Sequence, residues 1–333
     1  MCTDQFLSRQ HLLTSTEAVF PMKLFNCGID SEHIGMECRA SRKSKFLSSQ
    51  VREGFMRTLC KARQAKYMSE LPKVTVVAEG VVAYKSPDHI VPHGTMRDNS
   101  RNRWFNTKLY DLFPVPFGSP CLKVLDLGCS GGGFIKDVLD DGHLGVGLEG
   151  SDYSKKTHRA EWASIPDNLF TCDITARFDV YSQRDMCKER ILFDVVTAWE
   201  VMEHIAKKDL TKVAANVKRH MAATGLLIMS IANYDYFVNG VNLHQTVEPK
   251  EWWIKTFHEL GWTHLEPMLG YFDNFYVRGE ATETEQTFHL ILSMQPDCAP
   301  KIPNVAWTRR VLYRWVRSRL RSILINRLGF FGT

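Results

Sequence analysis

The chain has 333 residues, room for about two domains or for one large domain with extensions, and it can bury a core without disulfide or metal staples. Hydrophobic residues make up 44% and charged residues 24%, a balance that excludes wholesale disorder and fibrous repeats. Eight basic residues and no acid fall within 301–333, which exceeds the net charge of +5, so the remainder is slightly acidic and strong overall attraction to nucleic acid is not implied. The nine cysteines have irregular spacing and no C-x-x-C pair, which excludes a sequence-readable zinc or redox motif and points to free thiols. No apolar run reaches the ~18 residues of a membrane span. The polar N-terminus around Asp4, Gln5, Arg9 and Gln10 has no signal-peptide core, so a cytoplasmic location is expected.

From Arg39 to Lys66 nine basic residues face one acid, Glu53, which reads as a solvated, partly helical leader within an extension over 1–85. A short strand is expected at Val74–Ala78. Ser86 to Asn106 is polar and holds Pro87, Pro92 and Gly94, the composition of a long loop, so 86–120 reads as a connector or a lid, with His93 and Arg97 as contact candidates. From Pro120 short apolar runs alternate with amphipathic stretches. Strands are expected at 122–127, 143–149, 168–172, 192–198, 226–232 and 287–294, and helices at 134–140, 153–164, 207–221 and 249–260. Strand alternating with helix predicts an α/β, doubly wound, mostly parallel sheet over 121–296.

The first of these strands runs into VLDLGCSGGGF, with Asp126 near its end and then Gly128, Ser130, Gly131, Gly132 and Gly133. Such a turn brings backbone N–H groups close to a ligand at a helix N-terminus, although a purely structural tight turn looks the same. Glu149 ends the second strand, where a carboxylate can accept from both ribose hydroxyls of an adenosine ligand. Asp173 ends the third, in LFTCDI, in reach of an adenine amino group. Each acid alone also reads as a helix cap; three strand ends converging on one sheet edge favour a nucleoside site.

With GVGLEGS, FTCD, FDVVTAWEVMEHI and GLLIMSIAN, the stretch from Lys123 to Met294 resembles the class I S-adenosylmethionine-dependent methyltransferases. The resemblance implies a seven-stranded Rossmann-like sheet. It places the amino-acid part of S-adenosylmethionine over Asp126 and Gly128, with Ser130, Gly132 and Trp199 alongside, the ribose at Glu149 and the adenine near Asp173. Ser130 stands where glycine is frequent, a substitution that fits if its φ is negative.

Trp199 to Ile205 is expected to begin a helix, which would put Glu200, Glu203 and His204 on one face. His244, in the NLHQT loop, lies on the same sheet edge. Three roles suit this group: first ligands of a divalent ion, as E-x-x-E-H clusters are in ubiquinone-pathway O-methyltransferases; substrate orientation or acid/base chemistry; or helix capping. His204, His244 and Glu203 are the catalytic candidates, and Glu200, Glu203, His204 and His244 the metal candidates. Trp252 and Trp253, with Trp199, Tyr234 and Tyr236, are either packing residues or an aromatic wall for substrate. Between 297 and 333 a basic amphipathic helix is expected, with Arg310, Arg314, Arg317 and Arg321 on one stripe, suited to peripheral contact with an anionic membrane or to packing on its own domain.

The function expected is methyl transfer to an oxygen of a small molecule or glycan. RNA methylation is the alternative, and no RNA-binding module is recognisable. A nicotinamide-dependent enzyme is disfavoured by Ser130 and Asp126, and a non-catalytic scaffold by the intact Glu149 and Asp173.

Overall fold

A computed structural model describes residues 71–114, 121–184, 187–273, 275–279 and 284–304. The basic leader and the C-terminal basic helix expected from sequence lie outside these residues. In chain order the elements are β1 (Lys73–Ala78), α1 (Pro87–Ile90), α2 (His93–Arg97), α3 (Arg103–Leu112), β2 (Lys123–Leu127), α4 (Gly133–Asp140), β3 (Leu144–Glu149), α5 (Tyr153–Lys156), β4 (Leu169–Thr171), β5 (Phe178–Arg184) and β6 (Cys187–Arg190). They continue with β7 (Phe193–Trp199), α6 (Leu210–His220), β8 (Met221–Ala232), β9 (Phe237–Val238), β10 (Val241–Asn242), α7 (Lys250–Glu259), β11 (Thr263–His264), α8 (Glu266–Phe272) and β12 (Thr287–Ser293).

Seven strands form one sheet in the order β11-β12-β8-β7-β2-β3-β4. The pairs β8/β7, β7/β2, β2/β3 and β3/β4 are parallel, and β12 runs antiparallel to β8 and to β11. This is the doubly wound, mostly parallel sheet that the alternating pattern predicts. Successive residues of a strand point to opposite faces, and both faces are covered. Leu125, Leu127, Val196 and Ala198 join one apolar cluster with Trp253 and Phe257, while Val124 and Val195 join another with Phe105, Leu109 and Ile135. Strand order reverses between β2 and β7, and the ligand crevice of an open α/β sheet lies outside such a reversal.

Several expectations give way. The 86–106 stretch is not one loop: Ser86 caps α1 through Asp88 N–H, and Asn102 caps α3 by accepting from Trp104 and Phe105 N–H at 3.1 and 3.4 Å. The helix expected at 153–164 breaks after Lys156, because His158 and Ala160 take positive φ of 49° and 48°, and a 3-10 turn follows at Ala160–Ala163. A second sheet, β1-β5-β6, was only one-third visible as Val74–Ala78. His220 anchors it: fully buried and stacked on Phe178, its Nδ1 pairs with Asn216 O at 2.8 Å and its Nε2 accepts from Val180 N–H at 3.1 Å, with burial holding its pKa down. No helix of the described residues is long and apolar enough to cross a membrane.

Candidate functional site

A cavity of about 1390 Å³ opens along the carboxyl edge of the sheet. At one end it is lined by Gly128, Ser130, Glu149 and Asp173, and at the other by Glu200, His204, Tyr234, Tyr236 and His244, with Trp199 between. The segment from Glu79 to Asp98, including α1 and α2, forms a further wall. His93 and Arg97 are on that wall.

The nucleoside-like end is built from backbone and carboxylates. Gly128 leaves β2 with φ +69°, and its N–H donates to Leu148 O at 2.7 Å. Glu149 is buried. Its Oε2 accepts from Ser130 N–H at 2.7 Å, and its Oε1 from Ser151 N–H at 3.2 Å and Thr95 Oγ1 at 3.3 Å. Burial pushes its pKa up, and those donors oppose the shift. Asp173 Oδ1 accepts from the N–H and hydroxyl of Thr175, at 2.9 and 2.7 Å, which fixes the carboxyl beside the cavity. Asp126 and Gly132 do not line the cavity. Asp126 is buried and accepts from Thr197 Oγ1 at 2.6 Å, with burial raising its pKa to about 8. Gly132, at φ +83°, starts α4, and a Cβ there would press on Leu169.

Ser130 departs from the expected backbone: its φ is +46°, in the left-handed region that costs a non-glycine residue about 1–2 kcal/mol. Four contacts hold it there. Its N–H goes to Glu149, its hydroxyl donates to Asp98 O at 2.9 Å and accepts from Arg159 Nη2 at 3.0 Å, and its carbonyl accepts from Trp162 Nε1 at 2.7 Å. The glycine turn is thereby tied to the lid. A Cβ on Gly133 would meet Asn99 O at 2.7 Å, so the backbone drawn close to this turn is the lid's own.

Trp199 is buried against Phe105, edge to face at 5.1 Å, and its indole N–H has no hydrogen-bond partner although the residue lines the cavity. An orphaned buried donor costs ~1–3 kcal/mol unless something accepts from it.

The chain after β7 is not the helix expected. Glu200 takes φ +53°, its N–H donates to Ser230 O and Oγ, and only a 3-10 turn, Met202–His204, follows. Glu200 therefore parts from Glu203 and His204 and pairs with Arg278 Nε at 2.5 Å. Arg278 also reaches Asp98 Oδ2 at 3.2 Å, clasping the lid to the end of β7. Sequence reasoning missed Arg278, whose only signal was a cation in an irregular stretch before β12.

Glu203, His204 and His244 do converge: one ligand atom from each lies within 4.8 Å of the others. Glu203 is fully buried behind the cavity wall; Oε1 accepts from Ala232 N–H at 2.9 Å, while Oε2 has no partner. Burial raises its pKa to about 7. His204 Nδ1 lies 2.7 Å from Asp88 Oδ2 of α1, a contact that becomes an ion pair when the imidazole takes a proton. Burial disfavours its cation, but Asp88 and Glu203 outweigh that and hold its pKa above the ordinary value. His244 Nδ1 pairs with Tyr234 O at 2.5 Å, so Nε2 carries the lone pair; burial and the neighbouring His204 lower its pKa to about 4. The two rings meet edge to face at 4.7 Å. Tyr236 lines the same end, its hydroxyl 3.1 Å from His93 Nδ1. Trp253 is core and Trp252 packs under Lys207; neither lines the cavity.

A family model described as a methyltransferase domain matches residues 93–277. No curated protein matches the sequence. Among solved structures, magnesium protoporphyrin IX methyltransferase from Synechocystis, with S-adenosylhomocysteine bound, is 14% identical, covers 57% of this chain and 82% of its own, and gives a TM-score of 0.36. An S-adenosylmethionine-dependent methyltransferase from Clostridium acetobutylicum is 12% identical over 62% of this chain and 95% of its own, at 0.42. A glycopeptide N-methyltransferase complexed with S-adenosylmethionine is 13% identical over 58% and 95%, at 0.37. The family match spans more than half of the chain, from the lid through the glycine turn to Val277: this protein belongs to the methyltransferase domain family.

Proposed function

We propose that the protein transfers the methyl group of S-adenosylmethionine to an oxygen of a small molecule or glycan. The observation that carries this reading is the cavity itself, which joins the carboxylate of Glu149 at one end to the imidazoles of His204 and His244 at the other. The residues present fit the cofactor: Glu149 and Asp173 would take the nucleoside, and the unpartnered Trp199 N–H would find an acceptor on the amino-acid part. When bound, S-adenosylmethionine supplies a methyl group already activated on a sulfonium.

The protein's own task is then to align the acceptor, exclude water and take a proton. His204 is the base in this reading. Its Nδ1 is turned to Asp88, and the cation formed on protonation is stabilised by Asp88 and Glu203. His244 stays neutral at physiological pH and offers Nε2 to the acceptor hydroxyl. Neither Glu200 nor Arg278 is free for chemistry, since each is committed to the other. Incubating the protein with methyl-labelled cofactor and candidate hydroxyl compounds, followed by mass spectrometry, tests the reading. Label found only on nitrogen or carbon would refute oxygen transfer.

A divalent ion is the second reading, favoured by the unpartnered Oε2 of Glu203 beside two imidazoles. Glu203, His204 and His244 would hold it, without Glu200, and it would lower the pKa of an acceptor hydroxyl. Full activity after exhaustive chelation, with elemental analysis showing no bound metal, excludes the ion and leaves the base.

A further inference from the structure

The acceptor end of the cavity is walled by rings. His93 of α2, His204 of the 3-10 turn, and Tyr234, Tyr236 and His244 flanking the β9–β10 ribbon all line it, and they touch in series. His244 meets His204 edge to face at 4.7 Å, Tyr234 at 5.3 Å and Tyr236 at 5.6 Å. Tyr236 in turn meets His93 at 5.9 Å and Tyr234 at 6.3 Å. Rings in contact are ordinary in a core. Here every member lines a cavity, and Tyr234 is 40% exposed.

The polar atoms of this wall are engaged with one another. The Tyr236 hydroxyl lies 3.1 Å from His93 Nδ1, His244 Nδ1 pairs with Tyr234 O, and His204 Nδ1 lies against Asp88. Glu200, whose charge reaches Tyr234, pairs with Arg278. A glycan buries many hydroxyls that each need a partner, and few donors or acceptors are left here to serve them. A planar ring needs little beyond ring contact, which offset or edge-to-face geometry supplies.

Acidity narrows the class in the same direction. A phenolic hydroxyl ionises near pH ~10 and an imidazolium near ~6.5, so passing the proton to a histidine is uphill by roughly 10³–10⁴. For an aliphatic hydroxyl, close to the ~15.7 of water, the same transfer is uphill by roughly 10⁹ and calls for a stronger activator. An imidazole base is matched to an aryl hydroxyl.

We infer that the acceptor is a planar aromatic hydroxyl compound, held with its ring against Tyr234, Tyr236 and His244 and its oxygen at the imidazoles. The choice of a hydroxyl rests on the oxygen-transfer reading above; the ring pocket does not. The aryl oxygen gives its proton to an imidazole and its electron pair to the new bond to carbon, while the electrons of the broken carbon–sulfur bond remain on sulfur. At about 1390 Å³ the cavity exceeds the ~300–1,000 Å³ of a single small-molecule pocket, which leaves room for such a ring beside a cofactor.

The test pairs compounds that share a skeleton and differ in the ring: phenol with cyclohexanol, and 2-naphthol with decahydro-2-naphthol. Binding to the full chain loaded with S-adenosylhomocysteine is read by titration calorimetry, and transfer from methyl-labelled S-adenosylmethionine by mass spectrometry. Each aromatic member is expected to bind at least about five-fold tighter than its saturated partner. Tyr234→Leu/Tyr236→Leu keeps apolar bulk and removes two rings. It is expected to weaken 2-naphthol binding about 5- to 150-fold, with S-adenosylhomocysteine affinity and melting temperature retained. Equal binding of the saturated partners by wild type, which needs no variant, would overturn the inference. So would no binding of either pair, or undiminished 2-naphthol affinity in the folded double variant. Failure of the oxygen-transfer reading has a different mark: the aromatic compounds still bind in preference, but label appears on the nitrogen of aniline and on none of the hydroxyl compounds.

Discussion

At its Glu149 end the cavity is made of strand ends and backbone, with Thr95 and Asp98 of the lid bonded onto them; at its His204 end it is made of a 3-10 turn, a two-strand ribbon and the lid. Glu149 sits in register on β3 with both oxygens fixed by the N–H groups of Ser130 and Ser151. His204 and His244 are 40 residues apart, one on a 3-10 turn and one on the loop after β10, and their rings are oriented by Asp88, by Tyr234 O and by their edge-to-face contact with each other. The first end is preorganised by the sheet. The second is assembled when α1 of the lid is in place, because Asp88 arrives with it. Cofactor binding and acceptor activation should accordingly respond to different mutations.

The largest effect expected falls on the acceptor end. With His204 as the base, His204→Gln should lower kcat by ~10²–10⁴ while cofactor affinity, measured by titration calorimetry, stays within a small factor. Asp88→Asn should follow it more weakly and move the acid limb of the pH–rate profile to lower pH, since the carboxylate that holds up the pKa of His204 is gone. A larger loss in His244→Gln than in His204→Gln would reverse the assignment of the two imidazoles.

The converse holds at the other end. Hydrogen bonds to a charged group contribute ~1.5–3 kcal/mol, so Glu149→Ala should weaken S-adenosylmethionine binding roughly 10- to 150-fold, with the fold retained. The carboxylate already accepts from three donors, and its two oxygens offer about four sites, so a ribose diol must displace Thr95 Oγ1 from Oε1. Unchanged affinity in Glu149→Ala would remove the nucleoside from this strand end.

This asymmetry also governs what was legible in the sequence. A parallel strand buried on both faces leaves a short apolar run, and a tight turn after it demands glycine, so β2, β3, β4, β7 and β8, with Glu149 and Asp173 at their ends, could be read directly. The β5–β6 hairpin could not: Ser182, Gln183, Lys188 and Glu189 face solvent or its margin, which removes the apolar alternation that signals a strand. The helix drawn through Glu200 failed because its left-handed φ is imposed from outside, by Ser230 on β8 and by Arg278. The same is true of the lid, where Asp88, Asp98 and Thr95 owe their places to partners 32 to 180 residues away. Local pattern carries the sheet, and long-range polar contacts carry the acceptor end.

Between these ends lies Asp126, buried and tied to Thr197, with its pKa raised to about 8 from 3.8 by burial. The folded protein therefore keeps a proton that the unfolded chain releases across that interval, so this carboxyl favours folding most at acid pH and progressively less as pH rises towards 8. Asp126→Asn retains an acceptor for Thr197 and cannot ionise. Without cofactor, its melting temperature relative to wild type should climb by several degrees from pH 5 to pH 8 and then level off. A difference independent of pH would mean that Asp126 is ionised in the folded protein.

The smallest effect, and the most local, concerns the joint between lid and glycine turn. Ser130 accepts a strained φ of +46° in exchange for hydroxyl contacts to Asp98 O and Arg159. Two substitutions separate strain from contact. Ser130→Ala loses the hydroxyl and keeps the strain, which should cost about 1–2 kcal/mol. Ser130→Gly loses the same contacts but relieves about 1 kcal/mol of left-handed strain, so it should unfold later than the alanine variant despite its smaller side chain. Denaturant melts of the three proteins give the order wild type, then Gly, then Ala. If Ala proves as stable as Gly, the backbone at 130 is not held left-handed in solution, and the lid is not fastened to the turn through this residue.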